Sequence, residues 1–257
     1  MENNKAELVS IIMLSKDGGR FAEQSIRSVM AQTYKNWELL FYAPYTKDVS
    51  LGRLMELREQ DHRIQVYQIV EKEKNLSRNM GLQDAKGRWM AFLNSGDQWE
   101  PEKLEKQIAF MEEHGYHFSY TQYKKINVLM GGREAVVSGP ERLTFKDMAR
   151  CCWIGYLTVM YDRKAIGLIH IDDLRYNNDY TFWLKVSEKA DCHLLPECLA
   201  KLRTPQSTIM EYLVTDKLNW RYLVYRKVLH RGRFVSIMMT LRNLYYSTMK
   251  RVKYVRR

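Results

Sequence analysis

The sequence predicts an α/β fold: a mainly parallel central sheet flanked by helices, with a helical appendage at the C-terminus. Short apolar runs alternate with amphipathic segments from Leu8 to about residue 210, the pattern of strands joined by crossover helices. Clusters rich in Gly, Asn, Asp and Pro separate these segments and supply the turns. From Lys217 onward the composition changes to basic and aromatic residues with no Asp or Glu.

Leu8 to Met13 is a continuous apolar strand, and Phe21 to Ala31 is an amphipathic helix turning Phe21, Ile26, Val29 and Met30 inward. Glu38 to Tyr42 is the second strand, Leu51 to Gln60 a helix, Ile64 to Val70 the third strand, and Asn75 to Gln83 a helix. Trp89 to Leu93 follows the Lys86-Gly87 break as a buried strand and runs into the acidic turn Asn94-Ser95-Gly96-Asp97. Pro101 suits the first turn of a helix reaching Glu113, with Glu100 and Glu102 favourable at its N-terminus. Tyr116 to Tyr123 and Lys125 to Met130 read as two strands before a Gly131-Gly132 turn. Leu143 to Arg150 and Tyr180 to Lys189 read as helices, Leu157 to Tyr161 and Cys192 to Leu199 as short strands. No repeat or flexible linker interrupts the series. The boundary therefore falls near Met210, giving a domain of residues 1–210 and a basic amphipathic tail of residues 211–257.

A chain of 257 residues is long enough to bury a full core. No apolar run approaches the roughly 18–20 residues that cross a bilayer, and Met1 to Leu8 is too polar for a secretory signal, so a cytoplasmic location is expected. Cys151, Cys152, Cys192 and Cys198 lack paired spacing and are expected as reduced thiols. Charge is informative once located. Lys217 to Arg257 holds twelve Lys and Arg, leaving 29 basic against 30 acidic residues before it. A neutral body without a nucleic-acid motif argues against a nucleic-acid partner. Basic residues interleaved with Trp220, Tyr222, Tyr225, Phe234, Tyr245, Tyr246 and Tyr254 suit peripheral contact with an anionic membrane surface.

Three segments carry a family resemblance. The first is Val9-Ser10-Ile11-Ile12-Met13, a helix ending Ser28-Val29-Met30-Ala31-Gln32-Thr33-Tyr34, then Trp37-Glu38-Leu39-Leu40-Phe41. The second is the run Lys74 to Met111, in which the strand Trp89 to Leu93 enters the turn Asn94-Ser95-Gly96-Asp97. The third is Thr158-Val159-Met160-Tyr161-Asp162, followed by Asn178-Asp179-Tyr180-Thr181-Phe182-Trp183-Leu184-Lys185. In this order they resemble the family-2 glycosyltransferases of the GT-A fold, whose corresponding strand ends in an Asp-x-Asp turn that holds a nucleotide-sugar diphosphate, usually through a divalent metal. The resemblance implies Asp97 as the metal ligand, for Mg²⁺ or Mn²⁺. Asn94 and Gly96 stand where the fuller motif has aspartates.

It further implies a donor pocket bordered by Ser15, Asp17, Tyr45, Asp48, Arg78, Asn94 and Arg203. Ala43-Pro44 replaces the aspartates that usually meet the base, leaving Tyr45 and Asp48 as the nearby substitutes. Pro205 stands where a metal-binding His often follows Arg203. Asp179, with Asp172 and Asp173 as spares, matches the position of the catalytic base. In inverting transfer one carboxylate beneath the acceptor suffices, because it removes the hydroxyl proton as that oxygen attacks opposite the leaving diphosphate. Helix capping is the competing role for Asp97 and Asp179 alike, and Trp153 is available to stack on a sugar or to fill the core. The implied activity is transfer from a nucleotide-diphosphate sugar, expected to be UDP-linked, to a glycan or lipid-linked acceptor in surface polysaccharide assembly. The alternative is a catalytically impaired relative acting as a regulatory subunit of another transferase.

Overall fold

The computed structural model describes residues 6–15, 21–44, 49–69, 74–127, 134–171, 178–204 and 214–256. Its first half follows the predicted alternation: β1 (Val9–Leu14), α1 (Ala22–Met30), β2 (Trp37–Pro44), α2 (Val49–Gln60), β3 (Ile64–Ile69), α3 (Lys74–Asp84) and β4 (Trp89–Asn94). Successive residues of these strands leave the sheet on opposite faces. Ile11, Met13, Leu39, Phe41, Ala91 and Leu93 therefore pack under α1 and α2, whereas Ile12, Leu14, Leu40, Tyr42 and Phe92 pack against α3 on the other side. Burial on both faces explains why these runs read as continuously apolar. The Lys86-Gly87 break is also built in: a Cβ on Gly87 would lie 2.6 Å from the Leu8 carbonyl oxygen and from the Ser10 nitrogen.

The remaining elements are β5 (Gln98–Trp99), α4 (Lys103–His114), β6 (Phe118–Asn127), β7 (Glu134–Val137), β8 (Arg142–Leu143), α5 (Phe145–Met148), a 3₁₀ turn (Tyr156–Thr158), β9 (Met160–Asp162), α6 (Arg163–Ile166), α7 (Asn178–Ser187) and β10 (Cys192–Thr204). After them come α8 (Val214–Leu223), a π-helical stretch (Val224–Val228), α9 (Arg233–Tyr254) and β11 (Val255–Arg256). The sheet order is β11-β7-β6-β9-β4-β1-β2-β3, with β10 added on β6. Strands β1 to β4 are parallel, but β9 is antiparallel to both β4 and β6, and β7 is antiparallel to β6. Half of the sheet is thus the expected parallel one and the other half is mixed.

Three expectations are corrected. The two strands expected on either side of Lys124 are one, because β10 pairs alongside β6 from Ser119 to Asn127. The short strand expected at Cys192 continues to Thr204, with register shifts around Pro196, where the missing N–H breaks the ladder without ending it. The helix expected from Leu143 starts later. Leu143 pairs with Cys192, and Thr144 caps α5 in a reciprocal box with Asp147.

The tail packs on the body. Val224 and Tyr225 are fully buried, Tyr225 Oη donates to the Ala149 carbonyl at 3.1 Å, and β11 extends the sheet beside β7. Trp153 meets Tyr246 and Tyr254 edge-on and belongs to this interface. All four cysteines are free thiols, as expected.

Lys103, in the first turn of α4, is fully buried, with Nζ donating to Gln107 Oε1 at 2.8 Å and lying 4.2 Å from the Trp99 ring centre. No carboxylate among the described residues pairs with it, and burial lowers its pKa from 10.5 to about 7. Between those values the unfolded chain binds the extra proton, so stability rises with pH by up to about 1.4 kcal/mol per unit. Between pH 7 and 9 the gap in stability between the protein and Lys103→Met should shift by about 2 kcal/mol, several degrees of Tm, in favour of the native lysine. Parallel Tm profiles for the two proteins would show that Lys103 stays protonated.

Candidate active site

β1 and β4 end level, with Leu14 opposite Asn94, while β2 pairs with β1 as far as Tyr42 and runs on to Pro44. Ligands of open α/β sheets bind at this C-terminal edge. Ser15 is buried just past β1, its N–H donating to the Tyr42 carbonyl at 3.0 Å. Asn94 ends β4, and the turn closes as the Asp97 N–H donates to the Asn94 carbonyl at 3.1 Å. Gly96 adopts φ +94°, a conformation open to glycine at little cost, and its N–H donates to Ser25 Oγ at 2.9 Å. The turn is thereby tied to α1.

Asp97 is 3% exposed and accepts the Arg203 N–H at 3.2 Å, which ties the turn to β10 as well. Asn94 Oδ1 is buried without a hydrogen-bond partner. An unmet acceptor of this kind costs about 1–3 kcal/mol, which a bound ligand can recover. Carboxylate and amide oxygens in one turn suit a hard divalent cation whose remaining ligands come from diphosphate and water. Among the described residues no group of three or more His, Cys, Asp or Glu forms a fuller metal site.

Arg203 leaves β10 beside this turn. Its guanidinium carbon lies 3.4 Å from the Phe21 ring centre, and with Gly96, Gln98, Ile126 and Lys201 it lines a cleft of about 180 Å³. A cation held flat on a ring keeps its donors directed outward. Phe21, expected on the core face of the first helix, instead precedes α1 and supports Arg203.

Arg78 and Asp179, chosen separately from sequence, are brought together. Arg78 Nη1 lies 2.7 Å from Asp179 Oδ1, a close ion pair that lacks hydrogen-bond alignment. The Asp179 side chain is 41% exposed against 13% for Arg78, with Oδ1 turned inward to the cation and buried. Burial opposes the Arg78 charge, but Asp179 and then Tyr156, whose ring centre is 5.0 Å away, outweigh it and raise the pKa. No motif signalled Tyr156.

Burial, then Cys152 and Asp97, push the Tyr123 hydroxyl up to about 12. Burial also pushes the Cys152 thiol up to about 12, with Lys250 opposing and Cys151 and Asp179 adding. Asp17, Tyr45, Asp48, Asp172 and Asp173 lie outside the described residues.

The sequence model of the family described as Glycosyl transferase family 2 matches residues 10–150. A putative teichuronic acid biosynthesis glycosyltransferase, TuaG of Bacillus subtilis (strain 168), is 33% identical over 208 residues, covering 80% of this chain and 82% of that protein. The UDP-Glc:alpha-D-GlcNAc-diphosphoundecaprenol beta-1,3-glucosyltransferase WfgD of Escherichia coli is 32% identical over 182 residues, covering 70% and 69%. Among solved structures, S. aureus TarS 1–349 in complex with UDP-GlcNAc superposes with a TM-score of 0.71 at 17% identity, over 95% of this chain and 74% of that one. The mannosyltransferase PcManGT from Pyrobaculum calidifontis, in complex with GDP-Man and Mn2+, gives 0.65 at 11% identity, over 96% and 76%. These likenesses show the GT-A fold. The matched segment runs from β1 through α5 and includes both Arg78 and the Asp97 turn; the chain is a glycosyltransferase and belongs to glycosyl transferase family 2.

Proposed function

We propose that the chain catalyses inverting transfer of a sugar from a UDP-linked donor to a lipid-linked glycan acceptor, in surface polysaccharide assembly at the cytoplasmic face of a membrane. The observation that carries this reading is Asp179, a partly exposed carboxylate in the first turn of α7 that faces Arg78, together with the buried Asp97 turn at the C-terminal edge of the sheet. The relatives' names support the donor and acceptor classes: WfgD uses UDP-Glc and a diphosphoundecaprenol-linked sugar.

In the proposed step the acceptor hydroxyl gives its proton to Asp179 while its oxygen bonds to the anomeric carbon. The bond from that carbon to the diphosphate oxygen breaks on the opposite face, and UDP leaves with the electron pair. Arg203 and Arg78 meet the growing negative charge through charge-assisted hydrogen bonds. Asp97 and Asn94 would hold a divalent cation, which supplies further neutralisation of the diphosphate. Arg78 also faces Asp179, and this ion pair orients the carboxylate.

Calorimetric titration with UDP, with and without Mn²⁺, tests the donor site. UDP is expected to bind more tightly with metal, and to stabilise the protein by about 2.7 kcal/mol at roughly a hundredfold excess over Kd. Because Ala43-Pro44 removes the usual base contact, GDP should compete within about an order of magnitude. No heat and no Tm shift with any nucleoside diphosphate at millimolar concentration would remove the donor reading.

Helix α9 supports the membrane part of the proposal. Phe234 and Val252 are 75% exposed, Tyr245 61% and Leu241 55%, with Ile237, Met238 and Met249 along the same stretch. Exposed Arg233, Arg242, Arg251 and Lys253 flank them. An apolar stripe bordered by cations suits the interface of an anionic bilayer, where each basic residue contributes about 1 kcal/mol. No helix among the described residues is long and apolar enough to cross a membrane. Leu241→Glu with Val252→Glu should weaken flotation with phosphatidylglycerol vesicles at least tenfold without lowering Tm. Equal recovery of the protein and this variant would rule out the α9 face.

A further inference from the structure

Between the mixed half of the sheet and the inner face of α9 lies a cavity of about 270 Å³ that the transfer step does not use. Lys125 of β6, Arg221 of α8, and Lys250 and Arg251 of α9 reach its wall, and no Asp or Glu does. None of these four cations forms an ion pair among the described residues. Lys250 Nζ donates only to the Cys152 carbonyl, at 2.9 Å. Burial lowers the pKa of Lys125, with Lys250 and Arg251 adding to the effect, and burial likewise lowers that of Lys250. Cations gathered without a counter-charge carry a desolvation and repulsion cost, which a bound anion offsets.

The cavity is placed beside the chemistry. Its wall includes Tyr180, which follows Asp179 in α7, together with Cys152 and Tyr123. The α9 residues on the wall, Asn243, Ser247 and Lys250, are spaced by four and three and share one side of the helix. Tyr245, Met249 and Val252 are each displaced from them by two residues, roughly 200° around a helix of about 3.6 residues per turn. One helix therefore turns polar and cationic groups toward the catalytic centre and apolar ones away from it.

We propose that this cavity binds the phosphate-ester head, a diphosphate, through which the acceptor sugar is joined to its lipid, with the lipid chain leaving toward the apolar face of α9. The proposal rests on the lipid-linked acceptor reading above. It deepens that reading by assigning the acceptor's anionic group to Lys125, Lys250, Arg251 and Arg221, apart from the donor diphosphate at the Asp97 turn. The volume lies just below the roughly 300–1,000 Å³ of pockets that enclose whole drug-sized ligands, so it suits a compact polar head and not a complete glycan.

The test measures binding to the full chain with UDP and Mn²⁺ at saturation, so that the donor site is filled. The probes are a sugar diphosphate bearing a short alkyl chain and the same alkyl glycoside without phosphates. Inorganic pyrophosphate and a short-chain phosphatidylglycerol serve as competitors. The diphosphate probe should bind at least tenfold more tightly than the glycoside and be displaced by pyrophosphate. Lys125→Gln with Lys250→Gln should weaken it a further tenfold or more, while the Kd for UDP changes less than twofold. Arg251→Gln, at an exposed position that cannot unfold the core, should weaken it severalfold. Equal affinity for the two probes, or unchanged affinity in both variants, would overturn the assignment. Displacement by phosphatidylglycerol as effective as by the sugar diphosphate would also overturn it, in favour of a general lipid-headgroup site. Failure of UDP itself to bind would instead count against the donor site, and the pyrophosphate arm would still read the cavity.

Discussion

Asp179→Asn is expected to reduce transfer by roughly 10²- to 10⁴-fold, the usual consequence of losing a general base, while UDP affinity stays within about twofold. The amide is nearly the same size and still faces Arg78, but it cannot take the acceptor's proton. Steady-state rates at saturating donor and acceptor, set beside calorimetric UDP binding, separate the two effects. A helix-capping role predicts something different. Asp179 sits in the first turn of α7, where a carboxylate favours the helix dipole, so a purely structural residue would leave kcat normal and lower Tm alone. Some loss of Tm is expected in either case, because the largely buried Arg78 loses its counter-charge. Normal turnover with reduced stability would therefore dismiss Asp179 as the base.

Asp97→Asn should fail in another way. The new side chain can still accept the Arg203 N–H, so the clasp between the turn and β10 survives. What disappears is the negative charge that would hold a cation against the diphosphate. Loss of one such electrostatic contact is expected to cost about 10²–10³ in kcat and to abolish the gain in UDP affinity from Mn²⁺. UDP binding without metal should be nearly unchanged. If Mn²⁺ strengthens UDP binding equally in both proteins, the cation is not held by Asp97.

The parallel half of the sheet was legible because its strands are buried on both faces and its helices carry one apolar stripe. Turn chemistry was legible too: Asn94 to Asp97 is a turn at a strand edge, and Asp179 opens a helix. The mixed half was not. Strands β5, β8 and β11 have two residues each and no pattern of their own, so only their partners define them. Lys124-Lys125 resembled a break because charge suggests a turn, yet β10 hydrogen-bonds straight across it. Likewise the basic tail showed its amphipathic character but not that its inner face closes a cavity over β6. The Arg78–Asp179 pair joins α3 to α7, and neither residue carries a local sign of the other.

The most direct test of the account is transfer itself. The full chain would be incubated with radiolabelled UDP-sugars and a synthetic lipid-diphosphate sugar acceptor, and the lipid-extractable product analysed for the configuration of its new glycosidic bond. The account predicts label in the lipid fraction, released UDP in equal amount, a bond of configuration opposite to the donor's, and no product from Asp179→Asn. Product of retained configuration, or full activity in Asp179→Asn, would contradict it.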